Sequence, residues 1–183
     1  MGPAVFIDRD GTLIEEMGYL NHVSRLRMFP FAPEAIRRLN QAELPVIVVT
    51  NQSGVARGYF PESLVIEVNT LLERQLAAAG AHLTGVYYCP HAAGDECDCR
   101  KPKTGLLERA AKEHDLDLSR SYVVGDRYAD IELARRARAQ SVMVRTGYGE
   151  GELLWHAGKW PEQPDHVAAA LGDAVDWILR QPR

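Results

Sequence analysis

Short apolar runs alternate with segments of helical periodicity along most of the chain. Apolar runs typical of buried strands occupy residues 5–7, 45–49, 85–88, 121–124 and 141–144, and a short sixth strand is expected at 165–167. Between the runs, apolar residues recur at helical spacing, which predicts helices over 33–42, 61–80, 105–114, 131–139 and about 171–180. Such alternation is typical of an α/β fold with a doubly wound, mostly parallel sheet and right-handed crossovers.

Two stretches of the chain show neither an apolar run nor helical spacing. Residues 15–27 are expected to form a loop, and residues 146–164, which are rich in Gly and Pro, a surface loop. We find no repeat, no linker between domains and no insertion long enough for a large cap domain. The 183 residues are therefore expected to form a single domain, 1–183, large enough to bury a core of its own.

Polar side chains follow each of the first four predicted strands. The four clusters are Asp8 and Asp10, Thr50 and Asn51, Arg100 and Lys101, and Asp126 and Asp130. Because α/β sheets bind ligands outside the carboxyl ends of their strands, we expect the clusters to share one mouth. Together they supply a nucleophile, a hydroxyl donor, a fixed cation and metal-binding acids, which are the parts that phosphoryl transfer needs.

The first cluster is a pair of carboxylates two residues apart. Asp8 and Asp10 repel each other unless a cation joins them, and the hard cation Mg²⁺ suits their oxygens. One carboxylate could then attack a phosphorus atom while the other moves the proton. The alternative is that an Asp pair after a strand is only a helix cap or a turn.

A cluster of cysteines and histidine follows the third predicted strand. Its members are Cys89, His91, Cys97 and Cys99. An odd number of cysteines within eleven positions does not form a disulfide framework, whereas three thiols and one imidazole suit tetrahedral Zn²⁺. With all four positions filled, such a zinc would be structural and would fix the loop that carries Arg100 and Lys101. The alternative is a reduced thiol cluster without metal.

Charge and hydropathy restrict the partners. The net charge is −4 and there is no long basic run, which argues against nucleic acid as the main partner. No stretch of about 18 apolar residues indicates a membrane span, and the N-terminus lacks the features of a signal peptide. We therefore expect a cytoplasmic protein. Neither a heptad seam nor a large apolar stripe is found, so we expect a monomer.

The clusters resemble the four motifs of the haloacid dehalogenase superfamily of phosphatases. The motifs are Asp8-Arg-Asp10-Gly-Thr12, Thr50-Asn51, Lys101-Pro102 and Gly125-Asp126-x-x-x-Asp130. A finer resemblance is to the subfamily of heptose 1,7-bisphosphate phosphatases and related histidinol-phosphate phosphatases. It is carried by Thr-Asn-Gln-Ser-Gly-Val-Ala-Arg-Gly at 50–58, Tyr-Tyr-Cys-Pro-His at 87–91 and Cys-Asp-Cys-Arg-Lys-Pro at 97–102.

The resemblance implies a role for each residue of the mouth. Asp8 would be the nucleophile that becomes an aspartyl phosphate, and Asp10 would protonate the leaving oxygen and later activate water. Mg²⁺ would be held by the Asp8 carboxylate, the Asp10 backbone carbonyl and Asp126. Thr50 and Lys101 would bind the phosphoryl oxygens. The subfamily also carries zinc on the cysteine and histidine pattern found here.

Two interpretations of Asp130 remain open. It could orient Lys101 or a metal-bound water, as a supporting carboxylate does in many metal sites. It could equally be an acid at a helix N-terminus that the helix dipole stabilises.

The substrate is expected to be a small phosphorylated metabolite. The resemblance implies that Arg100 recognises it and that residues 16–19 and Ser53 line the pocket. Arg100, Arg57 or Arg127 could bind a second phosphate in bidentate fashion. The alternative for Arg57 and Arg127 is a solvated surface charge. The full set of predicted pocket residues is Glu16, Met17, Gly18, Tyr19, Asn51, Gln52, Ser53, Arg57, Arg100 and Arg127.

The sequence contains features of both branches of the subfamily. Arg127 and the short zinc loop favour histidinol phosphate, whereas Gly18-Tyr19 and residues 51–58 favour heptose bisphosphate. We prefer the C7 phosphate of D-glycero-D-manno-heptose 1,7-bisphosphate, because those heptose-like residues lie at the mouth. An inactive zinc-stabilised binding module is disfavoured because Asp8, Asp10, Lys101 and Asp126 are all present. A phosphotransferase would need a lid to exclude water, and no segment provides one.

Overall fold

The strands of the protein form one parallel sheet in a computed structural model that describes residues 1–182. They are β1 (Val5–Ile7), β2 (Val46–Asn51), β3 (Gly85–Cys89), β4 (Tyr122–Gly125), β5 (Gln140–Val144) and β6 (His166–Ala168). Their order across the sheet is β3-β2-β1-β4-β5-β6, and every neighbouring pair is parallel. The predicted α/β, doubly wound architecture is confirmed. Residue 183, the last of the predicted domain, lies outside the described residues.

In the described part of the chain, six helices connect and cover the strands. They are α1 (Ala32–Gln41), α2 (Glu62–Ala78), α3 (Gly105–His114), α4 (Tyr128–Ala137), α5 (Gly149–Trp155) and α6 (Leu171–Leu179). Short 3₁₀ turns lie at Val23–Arg25, Leu118–Arg120 and Ala157–Lys159. Within residues 1–182, no segment forms a large cap domain over the sheet, as the sequence predicts.

The core has two halves, one on each face of the sheet. Val5 and Ile7 pack with side chains of α1, α2 and α6, and Phe6 packs on the opposite face with side chains of α3 and α4. Because side chains alternate along a strand, a strand covered on both faces is apolar at every position. All three residues of β1 are fully buried, which explains why the opening run of the sequence shows no alternation.

The topology places a crevice at the carboxyl end of β1. From β1 the chain builds β2 and β3 on one side of the sheet, and β4, β5 and β6 on the other. Helices therefore diverge to opposite faces at this point, and ligands of such sheets bind in the crevice that is left. The segments that follow β1, β2, β3 and β4 all reach this crevice.

Residues 146–164 differ from the predicted surface loop because they contain α5 and a 3₁₀ turn. Gly149 starts the helix where a side chain could not fit, since an ideal Cβ would lie 1.7 Å from the carbonyl oxygen of Val144. Gly149, one of the glycines that suggested a loop, is therefore required by close backbone packing at the start of a helix. The Tyr128 ring also stacks on Trp160, with ring centroids 4.8 Å apart.

Helix α4 begins at Tyr128, three residues before the predicted start at 131. Asp130 explains the difference, because its Oδ2 accepts a hydrogen bond from the backbone N–H of Arg127 at 3.2 Å. A carboxylate at this position satisfies an otherwise unpaired N–H of the first turn. Among the helices of residues 1–182, none has both the length and the apolar character needed to cross a membrane.

Candidate active site

The four polar clusters meet around one cavity of about 410 Å³ at the carboxyl ends of the strands. The predicted site residues that line it are Asp8, Asp10, Glu16, Gly18, Tyr19, Thr50, Asn51, Gln52, Ser53, Arg57, Arg100, Lys101 and Arg127. Met17, a predicted pocket residue, is half-buried and does not line it, since the neighbouring Glu16 and Gly18 face the cavity instead. Tyr148 and Asp130 also line it and were not among the predicted pocket residues.

Asp8 stands at the end of β1 with its carboxylate against a cation. Its Oδ1 lies 2.9 Å from Nζ of Lys101 and accepts a hydrogen bond from the backbone N–H of Arg9 at 2.8 Å. Burial raises the pKa of Asp8 to about 7, although the charge of Lys101 opposes the shift. A nucleophilic carboxylate must be ionised, and the ammonium beside it favours that form.

Lys101 is 5% exposed, and its ammonium is surrounded by oxygens. Nζ donates to Oδ1 of Asp130 at 2.7 Å and to the carbonyl oxygen of Val49 at 3.0 Å, in addition to its ion pair with Asp8. Burial alone would lower the pKa of Lys101, but the charges of Asp130 and Asp8 outweigh it and raise the pKa above its usual value. The side chain therefore remains a fixed positive charge in the cavity.

Asn51 holds the backbone of Lys101 in place. Its Oδ1 accepts from the backbone N–H of Lys101 at 3.0 Å, and its Nδ2 donates to the carbonyl oxygen of the same residue at 3.2 Å. The end of β2 is thereby fastened to the segment that carries Lys101. Asn51 lines the cavity, but its amide is committed to this contact.

Asp130 serves both purposes that the sequence left open. One oxygen of its buried carboxylate accepts from Lys101, and the other accepts from the N–H of Arg127. Gly125 makes room for it, since an ideal Cβ there would lie 2.2 Å from the Asp130 carboxylate. The first turn of α4 is therefore anchored directly to the lysine of the cavity.

Asp126 is buried beside this network with one oxygen unpaired. Oδ2 accepts from the backbone N–H of Tyr148 at 2.8 Å, whereas Oδ1 has no hydrogen-bond partner within residues 1–182. Burial, with the nearby charges of Asp8 and Asp130, raises the pKa of Asp126 to about 8. One carboxylate oxygen from each of these three residues lies within 4.8 Å of the others, so the cluster could hold a metal ion.

Two glycines pack against the Asp126 carboxylate. An ideal Cβ on Gly11 or on Gly147 would lie 2.1 Å from Oδ2 of Asp126, and both residues have positive φ, at +84° and +59°. Side chains are therefore excluded by space and by backbone conformation. Thr146 fixes the two segments together, because its hydroxyl donates to the carbonyl oxygen of Gly11 at 2.6 Å.

The Asp10 carboxylate is held by donors. Oδ2 accepts from Arg9 Nε at 3.0 Å, from Gln52 Nε2 at 2.9 Å and from the Thr50 hydroxyl at 3.4 Å. Gln52 also donates to the Thr50 hydroxyl at 2.8 Å. Arg9 is not among the site residues predicted from the sequence, although a cation between two carboxylates in Asp-Arg-Asp is a visible signal.

The four predicted zinc ligands form one cluster at the end of β3. Cys89 Sγ lies 3.1 Å from Cys99 Sγ and 4.0 Å from Cys97 Sγ, and His91 Nδ1 lies 3.2 Å from Cys99 Sγ. All four donor atoms lie within 4.8 Å of one another. Three thiols and an imidazole this close could hold a metal ion, and Zn²⁺ is the ion that such a donor set suits.

Aromatic rings support the rim of the cavity. The guanidinium carbon of Arg127 lies 3.7 Å from the centre of the Tyr148 ring, which is a close cation–π contact. Tyr19 and Tyr59 meet edge to face with centroids 4.8 Å apart. Tyr148 was missed because it belongs to the stretch predicted as a surface loop, although the flanking glycines in Gly-Tyr-Gly indicated an unusual backbone.

The chain is similar to known phosphatases over nearly its full length. The HAD-hydrolase-like family model matches residues 98–174. The D-glycero-D-manno-heptose-1,7-bisphosphate 7-phosphatase of Thermosynechococcus vestitus is 43% identical, over 96% of this chain and 95% of that protein. The D-glycero-beta-D-manno-heptose-1,7-bisphosphate 7-phosphatase of Haemophilus influenzae is 39% identical, over 83% of this chain and 88% of that protein.

A similar solved structure is that of D,D-heptose 1,7-bisphosphate phosphatase from B. bronchiseptica, complexed with magnesium and phosphate. It superposes with a TM-score of 0.90 at 31% sequence identity and covers 98% of this chain and 99% of that one. The corresponding enzyme from Burkholderia thailandensis superposes with a TM-score of 0.75 at 27% identity and covers 98% of this chain and 99% of that one.

Replacing Asp126 by Asn should stabilise the metal-free protein at alkaline pH. Because burial raises the pKa of Asp126, the folded protein holds this proton more tightly than the unfolded chain, and stability falls as pH rises from about 4 to about 8. The Tm of Asp126→Asn minus the Tm of wild type is measured with a metal chelator present. This difference should be at least about 3 °C larger at pH 8.5 than at pH 5, because about 1 kcal/mol shifts Tm by 2–4 °C at this chain length. The exposed substitution Asp115→Asn is the control, and an equal Tm difference at both pH values would contradict the prediction.

Proposed function

The chain belongs to the haloacid dehalogenase-like family of D-glycero-D-manno-heptose-1,7-bisphosphate 7-phosphatases, and we propose that it removes the C7 phosphate of that bisphosphate through an aspartyl phosphate on Asp8. The observation that carries the proposal is the ion pair between Asp8 and Lys101, whose atoms lie 2.9 Å apart. The pair lies in the crevice at the carboxyl end of β1, between β2 and β4. It puts a nucleophile and a charge-neutralising cation at the same point of a cavity sized for a small ligand.

In the first step, the carboxylate of Asp8 attacks phosphorus and the bond to the sugar oxygen breaks. Lys101 and the hydroxyl of Thr50 bind the phosphoryl oxygens, on which charge must be stabilised. Asp10 gives its proton to the leaving oxygen, so that the sugar departs as a neutral alcohol.

A magnesium ion would be held by Asp8, Asp126 and the backbone carbonyl of Asp10. The residues fit it, because one buried oxygen of Asp126 has no partner among the described residues and three carboxylates approach one another there. Such an ion supplies positive charge to the phosphoryl oxygens, which lets an anionic carboxylate approach a phosphate dianion. We assign Asp130 to Lys101 instead, since both of its oxygens already accept hydrogen bonds.

In the second step, water hydrolyses the aspartyl phosphate. Asp10, now ionised, takes a proton from the water as it attacks phosphorus, which releases inorganic phosphate and regenerates the carboxylate of Asp8. Lys101 stays in contact with Asp8 in both steps, so the same cation stabilises attack and departure.

The other phosphate of the substrate is assigned to arginines on the rim. Arg57, Arg100 and Arg127 all line the cavity, and guanidinium groups bind phosphate in bidentate fashion. Arg100 also donates to the carbonyl oxygen of His91 at 3.1 Å, so its position depends on the cysteine-rich loop. Residues 16–19, Ser53 and Gln52 complete the pocket in our proposal, with Met17 behind the wall.

Zinc bound by Cys89, His91, Cys97 and Cys99 would be structural, since four protein ligands leave no open position. The loop it would fix is joined to β2, because the backbone N–H of Gln52 donates to the carbonyl oxygen of Cys89 at 2.7 Å. The same loop leads into Arg100 and Lys101. Metal at this cluster would therefore stabilise the arrangement of the catalytic cation.

We further propose that the chain acts as a single-domain monomer in the cytoplasm and binds neither nucleic acid nor membrane. The single sheet shared by all six strands and the net charge of −4 support this part of the proposal.

Substrate preference tests the proposal directly. Phosphate release by purified protein with Mg²⁺ is compared for both anomers of D-glycero-D-manno-heptose 1,7-bisphosphate and for histidinol phosphate. We expect kcat/KM for one heptose anomer to exceed that for histidinol phosphate by at least about a hundredfold, or about 2.7 kcal/mol. A preference for histidinol phosphate, which Arg127 and the short zinc loop favour, would overturn the substrate assignment. Turnover of none of the three would overturn the proposal.

Substituting Asn for Asp8 should abolish turnover without unfolding the protein. An amide cannot form the acyl phosphate, so kcat should fall by at least about a thousandfold while Tm stays at or above the wild-type value. Asp115→Asn, an exposed substitution of the same size, should keep full activity. Substantial residual activity would remove Asp8 as the nucleophile.

Replacing Cys99 by Ala should remove zinc and destabilise the fold. With a ligand missing, we expect the purified protein to lose its zinc, measured by elemental analysis, and its Tm to fall by about 5 °C or more. Glu96→Ala, an exposed change in the same loop, is the matched control. Unchanged metal content and Tm would contradict the proposed zinc site.

A further inference from the structure

Arg9 is a buried arginine located between the two proposed catalytic carboxylates. It is 1% exposed and is the bulkiest of the fully buried side chains. Its Nε donates to Asp10 Oδ2 at 3.0 Å and its Nη2 to Asp10 Oδ1 at 3.2 Å. Burial of a guanidinium is unfavourable unless its donors are satisfied, so a well-defined set of partners is required here.

The third hydrogen bond of this arginine goes to a residue of a distant helix. Nη1 of Arg9 donates to Oδ1 of Asn69 at 2.9 Å. Asn69 is 6% exposed and lies on the buried face of α2, next to Val68 and near Leu72. A leucine at this position would pack equally well against the apolar neighbours. The feature that distinguishes Asn69 is therefore its hydrogen bond to Arg9.

The contacts at both ends of the guanidinium fix its plane. A planar group held by Asn69 on one side presents Nε and Nη2 to Asp10 in one orientation, and the bidentate contact transfers that orientation to the carboxylate. Oδ2 of Asp10 also accepts from Gln52 and Thr50, whereas within residues 1–182 the only hydrogen bond to Oδ1 comes from Arg9. Oδ1 is therefore the oxygen that remains available for proton exchange with a ligand.

We propose that Asn69, acting through Arg9, is a positioning residue that aims Oδ1 of Asp10 at the leaving oxygen of the substrate. This rests on the proposed acid–base role of Asp10. Asn69 does not line the cavity and touches none of the reacting atoms. Its effect on protonation of the leaving oxygen is read from kcat/KM, which covers the steps up to formation of the aspartyl phosphate.

The test compares leaving groups. Asn69→Leu removes the acceptor at similar volume, and kcat/KM is measured for the alcohol phosphate that wild type hydrolyses fastest and for p-nitrophenyl phosphate. Nitrophenolate departs without a proton, so only the alcohol substrate needs a well-aimed acid. We expect kcat/KM to fall about tenfold for the alcohol phosphate and to stay within about twofold for p-nitrophenyl phosphate. Asp10→Asn should show the same selectivity with a larger loss.

Two variants separate positioning from stability. Val68→Ala, one residue away on the same buried face, should lower Tm and leave the ratio of the two kcat/KM values unchanged. Asn69→Asp keeps an oxygen acceptor for Arg9 and should recover most of the activity on the alcohol phosphate. A loss of equal size on both substrates, or no loss on either, would overturn the inference. Failure of wild type on heptose bisphosphate alone counts against the proposed function and not against this inference, because another alcohol phosphate then serves in the comparison.

Discussion

The buried contact of one ammonium with two carboxylates governs the geometry of the whole site. Lys101 lies 2.9 Å from Asp8 and 2.7 Å from Asp130, and Asp126 adds a third buried carboxylate beside them. One cation cannot balance three acids at low dielectric. Burial, together with the charges of neighbouring acids, raises the pKa of Asp8 to about 7 and that of Asp126 to about 8. The fold thus places more carboxylates than cations in this cluster, and a bound divalent cation would neutralise the excess negative charge.

The sheet makes this arrangement possible because its central strands end in the same crevice. Asp8, Lys101 and Asp126 are far apart in sequence, yet β1 lies between β2 and β4, and their carboxyl ends are adjacent. The apolar runs that bury these strands are strong local signals, so the sequence predicts both the strands and the polar residues that end them. Most of the fold, and the gathering of the four clusters, was predictable for this reason.

The remaining features depend on contacts that no local pattern contains. Gly149 is required by its approach to Val144, so glycine in this stretch indicated a loop where the structure has α5. Asn69 interrupts an apolar helical face without any sign that Arg9, sixty residues earlier, is its partner. Tyr148 supports Arg127 only because Gly147 lets the backbone pass close to Asp126. Such pairings follow from packing in three dimensions, and periodicity records only which side of an element is buried.

The buried groups of the site and the residues of its rim differ in how tightly their neighbours hold them. This difference bears on how chemistry and substrate selection are divided within the site. The groups assigned to phosphoryl transfer are buried and bonded from several strands, as the donors to Asp10 and Lys101 illustrate. The rim is more exposed, and its arginine and tyrosines rely on ring contacts at the surface. Changes at the rim leave the buried network intact, so specificity can diverge while the chemistry stays fixed. This division predicts a chain that combines features of two branches at its rim with one unbroken cluster of proposed catalytic residues.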